Sequence, residues 1–401
     1  MKKYWKPIIL FAIILVTFSI YYVYGALAKE ELPELELVTV SDKNNIAENI
    51  TIEGNYENGR MSWNEFKLTA QDMMDYSDLG YLERLNNSYS HVNTAKLIED
   101  YRGFMRGKNE RELLYEDEGR VVYVGPYSQG KGKNKFEVAI LDKVKNEEKD
   151  VTVKIAEEAG FEYMYIEEIQ AAGDKIYVFT SNYYRDGEQL RVYEIDINEE
   201  KITDQKTLEI LPADSYYSIL NNFGNIKEEP YLVYKVEENK WDEETGEGEV
   251  ISLEVKSYHV QSGEQRTITL PPEWDKNIDA NNMYDVHSSN HYVIKDEFIY
   301  FIIHVEDRID IYPYHLEKNE LGEVRHIPLE PTVSEGVVGY FAAGEDFSFI
   351  SSVGENGSNQ RKLFIIDLDN AEIQYEGDIK ITNANREMLP YLIEFNDVYI
   401  D

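Results

Sequence analysis

The segment Gly125–Gly132 comes closest in this sequence to the spacing of a catalytic motif. It reads GPYSQGKG, which matches a phosphate-binding loop except that Gly132 replaces the Ser or Thr that would hold magnesium. A phosphate-binding loop also opens a helix, whereas the strand-like run FEVAILD follows here. Ser128 and Lys131 have the S-x-x-K spacing of penicillin-recognising enzymes, which works only when both residues share a helical turn. The segment is therefore predicted to be a Gly-rich hairpin loop without a catalytic role.

The seven histidines and 77 acidic residues form no recognisable metal motif. His287 and His291 lie four positions apart, but that spacing brings side chains together only on a helix, and a strand-like Tyr-Val-Ile follows. Calcium suits an acidic chain, because it prefers carboxylate and carbonyl oxygens. The acidic runs Asp196–Glu200 and Asp367–Asn370 follow strands, where Asp and Asn commonly form turns. No residue is assigned a catalytic, cofactor or metal role, and a divalent cation such as calcium stays without named ligands.

Composition narrows the range of functions further. The 401 residues include 40 Lys and Arg against 77 Asp and Glu, a formal net charge of -37. This charge repels a phosphate backbone, so nucleic acid is excluded as a partner. The absence of Cys excludes disulfides, thiolate metal sites and thiol nucleophiles.

Residues 1–28 have the pattern of a membrane anchor. Residues 1–6 carry three lysines, and residues 7–28 contain no charged residue. About 20 apolar residues span a bilayer as a helix, and lysines on its cytoplasmic side set the orientation. We expect a cytoplasmic tail over 1–6 and a transmembrane signal anchor over 7–28, with the rest of the chain extracytoplasmic.

A cleaved signal peptide is the alternative, since Ala26–Ala28 fits a small-residue cleavage pattern. The apolar run Ile8–Tyr24 is longer than a usual signal-peptide core, which favours the uncleaved anchor. Both interpretations export the remaining chain. An exported, acidic chain without Cys fits a bacterial cell surface. Residues 29–45 are expected to form a stalk.

The exported part is dominated by an alternation of period two, which predicts β-strands. Five segments share one pattern, in which a strand of alternating bulk, a polar loop, a second strand and a turn follow one another. These segments begin at Glu118, Gly173, Glu229, Asp296 and Glu345. Their equivalent positions are Val122, Tyr177, Leu232, Tyr300 and Ser348, with Val398 as a further equivalent.

Repeated units of about 40–50 residues are typical of a β-propeller, in which a closed ring buries the apolar faces of small sheets. In this hairpin pattern, residues 118–400 resemble bacterial membrane-anchored, extracytoplasmic β-propeller proteins. We predict an all-β fold over 46–401, a six-bladed propeller, or a seven-bladed one if residues 36–69 form a blade alone. A strand at 391–400 is expected to complete a blade with the hairpin at 50–69. A pair of β-sandwiches or an irregular all-β domain is the alternative.

One segment has helical spacing instead. Its apolar residues, including Ile98, Tyr101 and Met105, recur at steps of three or four. Its basic C-terminal end complements a helix dipole. We predict one amphipathic helix, inserted into the propeller at about 90–111.

In a propeller, the loops between the second and third strands of the blades collect on one face. Aromatic and Arg side chains on loops are typical of binding hot spots, although hairpin tips are commonly polar without any binding role. The candidate ligand face consists of Lys131, Lys133, Tyr183, Tyr184, Arg185 and Trp241.

The sequence thus predicts a membrane-tethered module that binds a protein, peptide or glycan of the cell envelope. The alternative is a carboxylate-dependent hydrolase or lyase acting on an envelope polysaccharide, and a scaffold without a small ligand is a third hypothesis. An enzyme requires a buried carboxylate pair with perturbed ionisation, whereas a binding module requires an exposed aromatic patch.

Overall fold

The fold is given by a computed structural model. The residues that it describes are 5–29, 33–57, 64–76, 79, 92–108, 110–130, 135–156, 158–185, 187–211, 215–221, 226–241, 248–272, 274, 290–305, 307–334, 337–343, 346–352, 361–382 and 392–400.

Strands dominate the described residues, which confirms the all-β prediction. They form six antiparallel sheets, called sheets A to F below. The helices in this part of the chain are α1 (Trp5–Lys29), α2 (Val92–Asp100) and α3 (Pro331–Ser334), with short 3-10 helices at Ala47–Asn49 and Arg111–Leu113.

The chain divides into two compact units. The first contains residues 1–86, 306–308 and 327–401 and holds sheets A and F. Sheet A has the strand order β27 (Leu392–Ile400), β2 (Ile50–Glu57), β3 (Asn64–Thr69), β4 (Met73–Asp75). Sheet F has the order β1 (Leu35–Asp42), β26 (Glu372–Ile381), β25 (Arg361–Asp367), β24 (Asp346–Ser352), β23 (Val337–Ala343).

The second unit contains residues 87–305 and 309–326 and holds sheets B to E. Sheet B is β5 (Leu114–Glu116), β6 (Arg120–Gly125), β8 (Lys135–Asp142), β9 (Glu147–Lys154). Sheet C is β13 (Lys201–Leu211), β12 (Gly187–Asp196), β11 (Lys175–Tyr184), β10 (Phe161–Ala172), β7 (Ser128–Gly130). Sheet D is β14 (Ser215–Ile219), β15 (Tyr231–Trp241), β16 (Gly248–His259), β17 (Gln265–Ile268). Sheet E is β18 (Asn290–Lys295), β19 (Phe298–Val305), β20 (Arg308–His315), β21 (Glu320–Leu321), and β22 (Arg325–Pro328) follows in sequence.

The register of the predicted repeats is confirmed for five of its six positions. Each of the five lies in the second strand of a four-strand meander: Val122 in β6, Tyr177 in β11, Leu232 in β15, Tyr300 in β19 and Ser348 in β24. The sixth equivalence is wrong, because Val398 lies in β27, which is an edge strand of sheet A.

The predicted pairing of residues 391–400 with the hairpin at 50–69 is confirmed. Strand β27 runs antiparallel to β2, with Val398 opposite Ile52. The pairing shifts by one residue between Glu53 and Gly54, so β27 continues through Asn396 as a single bulged strand. A part of the chain near position 400 therefore completes a sheet that begins near position 50.

The predicted stalk over residues 29–45 contains strand β1 instead. This strand pairs with β26, with Leu37 opposite Ile379. Leu35 and Leu37 are buried in the apolar cluster that sheets A and F share within the first unit. The segment is a strand rather than a stalk because its alternating leucines supply side chains to that cluster.

Within the second unit, consecutive sheets pack face to face. In β11, Ile176 and Val178 join an apolar cluster with residues of sheet B, whereas Tyr177 and Phe179 join a cluster with residues of sheet D. Sheets D and E share a further cluster. Because side chains alternate across a strand, one strand supplies apolar side chains to both neighbouring sheets.

The predicted helical insertion is confirmed in part. Helix α2 covers Val92–Asp100, and hydrogen-bonded turns continue to Gly107, whose φ of +78° ends the segment. Leu97, Phe104 and Met105 are buried against apolar residues of sheet B. The helix is therefore shorter than the predicted 90–111 and packs through a face centred on Leu97.

Helix α1 covers the predicted anchor. Large apolar side chains along it are exposed, including Leu10, Phe11 and Ile20. Within the part of the chain that the structure describes, no helix reaches the combined length and hydropathy of a membrane span.

Candidate functional site

A β-bulge in β10 places two consecutive carboxylates on one face of sheet C. Ile166 pairs with Thr180 and Glu168 with Phe179, so Glu167 is the extra residue. On both sides of the bulge, apolar side chains of β10 join the cluster shared with sheet B: Met164, Ile166, Ile169 and Ala171. The extra residue leaves both glutamates off that cluster, on the face directed toward sheet D.

On the same face, aromatic and polar residues align across three strands. Tyr163 of β10 lies opposite Tyr183 of β11, which lies opposite Glu188 of β12. The rings of Tyr163 and Tyr183 are stacked, with centroids 4.5 Å apart. Tyr165 meets Tyr163 edge to face at 5.5 Å, and Tyr127 lies 5.4 Å from Tyr165. These four tyrosines form a continuous aromatic row.

Hydroxyl groups connect the row to the bulge. Ser181, which is buried opposite Tyr165, donates a hydrogen bond to Glu167 and also lies within hydrogen-bond distance of the Tyr217 hydroxyl. Tyr217 comes from β14 of sheet D, so both sheets contribute to the arrangement. We call the whole set the tyrosine–glutamate site: Tyr127, Tyr163, Tyr165, Glu167, Ser181, Tyr183, Glu188 and Tyr217.

Desolvation controls the ionisation of this site. Burial raises the pKa of Glu167, although the hydrogen bond from Ser181 opposes the rise. Burial also raises the pKa of Glu188, opposed by the hydroxyls of Tyr183 and Tyr217 and reinforced by the charge of Glu167. The pKa of the Tyr217 hydroxyl is raised by burial and by both carboxylates, so it remains a proton donor. The two carboxyls therefore hold protons to a higher pH than free Glu.

Hydrogen bonds from buried amide side chains hold β10 in place next to the bulge. The Gln170 side-chain amide donates to Glu168 at 3.0 Å, and its oxygen accepts the Glu229 backbone N–H at 2.9 Å. Asn221 in turn donates to the Glu229 carboxylate. Burial, and next the charge of Glu229, raise the pKa of Glu168 well above its ordinary value. This network fixes β10 against residues 226–230.

The structure separates the three predicted site residues at the β11–β12 turn. Tyr183 belongs to the tyrosine–glutamate site. Tyr184 lies on the opposite face, where its hydroxyl donates to Glu158 at 2.7 Å. Arg185 is exposed at the turn, 4.0 Å from Glu162. Strand alternation explains the separation, because adjacent side chains point to opposite faces.

The other predicted site residues fall largely outside the described part of the chain. Lys131 and Lys133 lie in the gap between β7 and β8, and only the backbone of Trp241 is described, opposite Gly248 at the end of β15. The predicted ligand face of six residues stays a prediction.

Two segments that the sequence singled out form strands and turns. The segment resembling a phosphate-binding loop runs from β6 through β7, and β8 rather than a helix follows. In the acidic runs, the carboxylates of Asp196 and Asp367 accept backbone N–H bonds from the residues two and three positions later. These are turn-forming aspartates rather than a calcium loop.

A separate group in sheet E has the donors of a metal site. The ligand atoms of Glu297, His315 and Glu317 all lie within 4.8 Å of one another, and His315 Nε2 is 3.8 Å from Glu297 Oε2. A backbone hydrogen bond of 2.8 Å from Leu316 to Glu297 joins the two turns that carry them. One imidazole and two carboxylates suit zinc or manganese better than calcium, which takes oxygen ligands.

Of the tyrosine–glutamate site, the sequence predicted only Tyr183; the residues that it missed are Tyr127, Tyr163, Tyr165, Glu167, Ser181, Glu188 and Tyr217. The local signal for Glu167 was available, because the pair Glu167–Glu168 interrupts the apolar alternation of β10. Tyr217 and Glu188 carry no local signal, since they reach the site only through the packing of sheet D on sheet C and through the pairing of β12 with β11.

No protein-family model and no curated protein matches the chain. TolB from Acinetobacter baumannii is a similar solved structure, 9% identical, with 88% of this chain and 67% of that chain covered and a TM-score of 0.32. An oligogalacturonate lyase in complex with manganese is 12% identical, with coverages of 64% and 61% and a TM-score of 0.33. This chain thus spans 61% of that lyase.

A mutant of the Synechocystis apocarotenoid oxygenase is also similar. It is 10% identical, with 91% of this chain and 96% of that chain covered and a TM-score of 0.40. At these identities and TM-scores, the likenesses carry no argument about this chain.

Replacing Glu168 with Gln is expected to stabilise the protein at neutral pH. The raised pKa means that the folded state holds a proton that the unfolded state releases, so the free energy of unfolding falls as pH rises above the ordinary value of 4.5. Gln keeps an oxygen for the Gln170 amide without ionising. We expect the Tm of Glu168→Gln to exceed that of wild type by about 2 °C at pH 7.5.

The gain should shrink at pH 4, where Glu168 is largely protonated in both states. Glu148→Gln, an exposed change in β9 of sheet B, serves as the control and should change the Tm little at either pH. A gain of equal size at both pH values in a thermal scan would contradict the proposed ionisation of Glu168.

Proposed function

We propose that the protein is a membrane-attached, extracytoplasmic β-propeller that binds a ligand of the cell envelope through the tyrosine–glutamate site. The ligand is a protein, peptide or glycan, and the net charge of -37 speaks against nucleic acid. The observation that carries the proposal is a row of four tyrosines, two of them exposed, beside half-buried carboxylates.

The six antiparallel sheets of four or five strands support the propeller architecture, since each has the size of a blade. The sheets of the second unit follow one another along the chain and pack in that order, as consecutive blades do. Sheet A combines β2 to β4 with the distant β27, which is how the ends of a propeller chain complete one blade.

The aromatic row supports the binding function. Tyr127 is 40% exposed and Tyr163 is 36% exposed, so their ring surfaces are available to a ligand. Carboxyl and hydroxyl groups lie beside these rings, which gives one surface for apolar contact and directional hydrogen bonds. Tyrosine-rich surfaces of this kind are typical of binding hot spots.

A carboxylate-dependent hydrolase or lyase is the second candidate. It is favoured by Glu167 and Glu188, whose pKa values are both raised by burial and which share the hydroxyls of Ser181 and Tyr217. A carboxyl that keeps its proton toward neutral pH can act as a general acid, while its ionised partner acts as a base.

Replacing Tyr163 and Tyr183 together with Ala is expected to remove most of the ligand binding, because the stacked pair is lost. We would measure the full chain in detergent by co-sedimentation with purified peptidoglycan and by titration with soluble envelope polysaccharide. The affinity should fall about tenfold or more, as for an aromatic hot spot. The matched control is Tyr184→Phe, which changes the neighbouring residue on the opposite face.

Equal binding by the double variant and wild type would refute the proposed site. Release of new reducing ends or unsaturated sugars over time would instead establish the hydrolase or lyase activity, provided that this release is lost in both Glu167→Gln and Glu188→Gln. Binding without turnover would favour the binding module over the enzyme.

Membrane attachment is supported by the uncharged segment 7–28 and by the exposed apolar side chains of α1. Ile13→Asp is expected to move the protein from the membrane fraction to the soluble fraction, because a carboxylate there costs about 3 kcal/mol on insertion. Val144→Asp, a change at a valine that is 85% exposed in a turn, is the control. Unchanged fractionation of Ile13→Asp after carbonate extraction would argue against the anchor.

We also place the predicted divalent cation at Glu297, His315 and Glu317. Zinc or manganese is expected to raise the Tm more than calcium does, because an imidazole is among the donors. His315→Gln should abolish the increase, whereas Glu323→Gln, an exposed change between β21 and β22, should preserve it. An increase that survives His315→Gln in a thermal scan would rule out this group as the site.

A further inference from the structure

The charges that act on the tyrosine–glutamate site are negative. Glu112 adds to the burial that raises the pKa of Glu167, and the charge of Glu167 does the same for Glu188. The groups that favour the ionised forms are hydroxyls, from Ser181, Tyr183 and Tyr217. Both carboxylates are thus stabilised by hydrogen-bond donors, and a ligand that carries positive charge would stabilise them further.

The aromatic row of tyrosines adds ring faces to these carboxylates, and together they have the chemistry of a cation site. Aromatic ring faces carry partial negative charge and attract ammonium and guanidinium groups. Tyr163 stacks on Tyr183, and Tyr183 lies opposite Glu188 in the next strand. The Tyr183 hydroxyl also hydrogen-bonds to the Glu188 carboxylate. The ring of Tyr183 and the carboxylate of Glu188 are therefore neighbours across β11 and β12.

The carboxylates and the tyrosine rings together favour an organic cation over other ligands of the envelope. An anionic ligand would meet Glu112, Glu167 and Glu188 in a chain with a net charge of -37. A bare metal ion would use the carboxylates but not the rings. An ammonium group on a carbon chain uses both, since its charge pairs with carboxylates and its carbon atoms pack on the rings.

We propose that the tyrosine–glutamate site binds an organic ammonium group, with the charge at Glu167 and Glu188 and the adjoining carbon atoms on the rings of Tyr163 and Tyr183. This proposal rests on the binding function proposed above and names its ligand chemistry. In a cell envelope such a group is carried by the side chain of a peptide or by an amino sugar.

Two matched pairs of probes test the charge and distinguish its source. One pair is a lysine-containing tripeptide with its side-chain amine free or acetylated, and the other is a glucosamine hexamer and its N-acetylated form. Isothermal titration of the full chain in detergent should show at least a tenfold preference for the free amine in one pair. The pair that shows the preference identifies a peptide or an amino sugar as the source.

Glu167→Gln and Glu188→Gln should each weaken binding of the preferred amine about tenfold. Glu148→Gln, an exposed change in β9 of sheet B, should leave it within twofold. With the lysine peptide, whose side-chain ammonium stays charged from pH 4.5 to 7.5, the affinity should increase with pH as the two carboxyls ionise. The groups that act on this pair are the carboxyl of Glu112 and the hydroxyls of Ser181, Tyr183 and Tyr217.

Equal affinity for the free and acetylated forms, or wild-type affinity in both Glu→Gln variants, would overturn the proposal. If the acetylated hexamer binds and the Tyr163 and Tyr183 double variant loses that binding, the binding function stands and only the cation is refuted. If neither pair binds, the cation proposal fails at this site, and sedimentation with peptidoglycan decides the binding function separately.

Discussion

The fold depends on the burial of both faces of its inner sheets. Sheet C shows this constraint directly, because Ile176 and Val178 pack toward sheet B while Tyr177 and Phe179 pack toward sheet D. A sheet in that position has little apolar surface left for solvent. The tyrosine–glutamate site lies beyond the end of the apolar cluster that sheets C and D share. There Ser181 and Tyr183 continue the row of alternate side chains that Tyr177 and Phe179 begin on β11.

The tyrosine–glutamate site lowers the stability of sheet C, which holds it. Half-buried carboxyls with raised pKa values lose hydration without gaining an equivalent partner, so ionisation near neutral pH is unfavourable. The bulge at Glu167 interrupts the pairing of β10 with β11 at the same place. Such local departures from a well-satisfied sheet are typical of functional sites, where geometry for a ligand is retained at some expense of stability.

Much of the fold could be predicted from the sequence, because alternation of period two is a local property of each strand. The second strands were located correctly through Val122, Tyr177 and Leu232, and the pairing of β27 with β2 was anticipated. Strand β1 was missed because its buried alternation covers only Leu35 and Leu37, and its partner β26 is distant in the sequence. The site was largely beyond prediction, since Tyr217 and Glu188 meet Glu167 through sheet packing and strand pairing rather than through spacing along the chain.

The pairing of β2 with β27 has a kinetic consequence. Asn55 and Glu394 meet across this pair although 339 residues separate them. The strands of sheets B to E are contiguous in the chain, so they can form while β27 has yet to be synthesised. Until then β2 has an open edge with unpaired backbone groups, which is a template for aggregation. Slow closure of so long a loop makes the first unit the late-folding part of the chain.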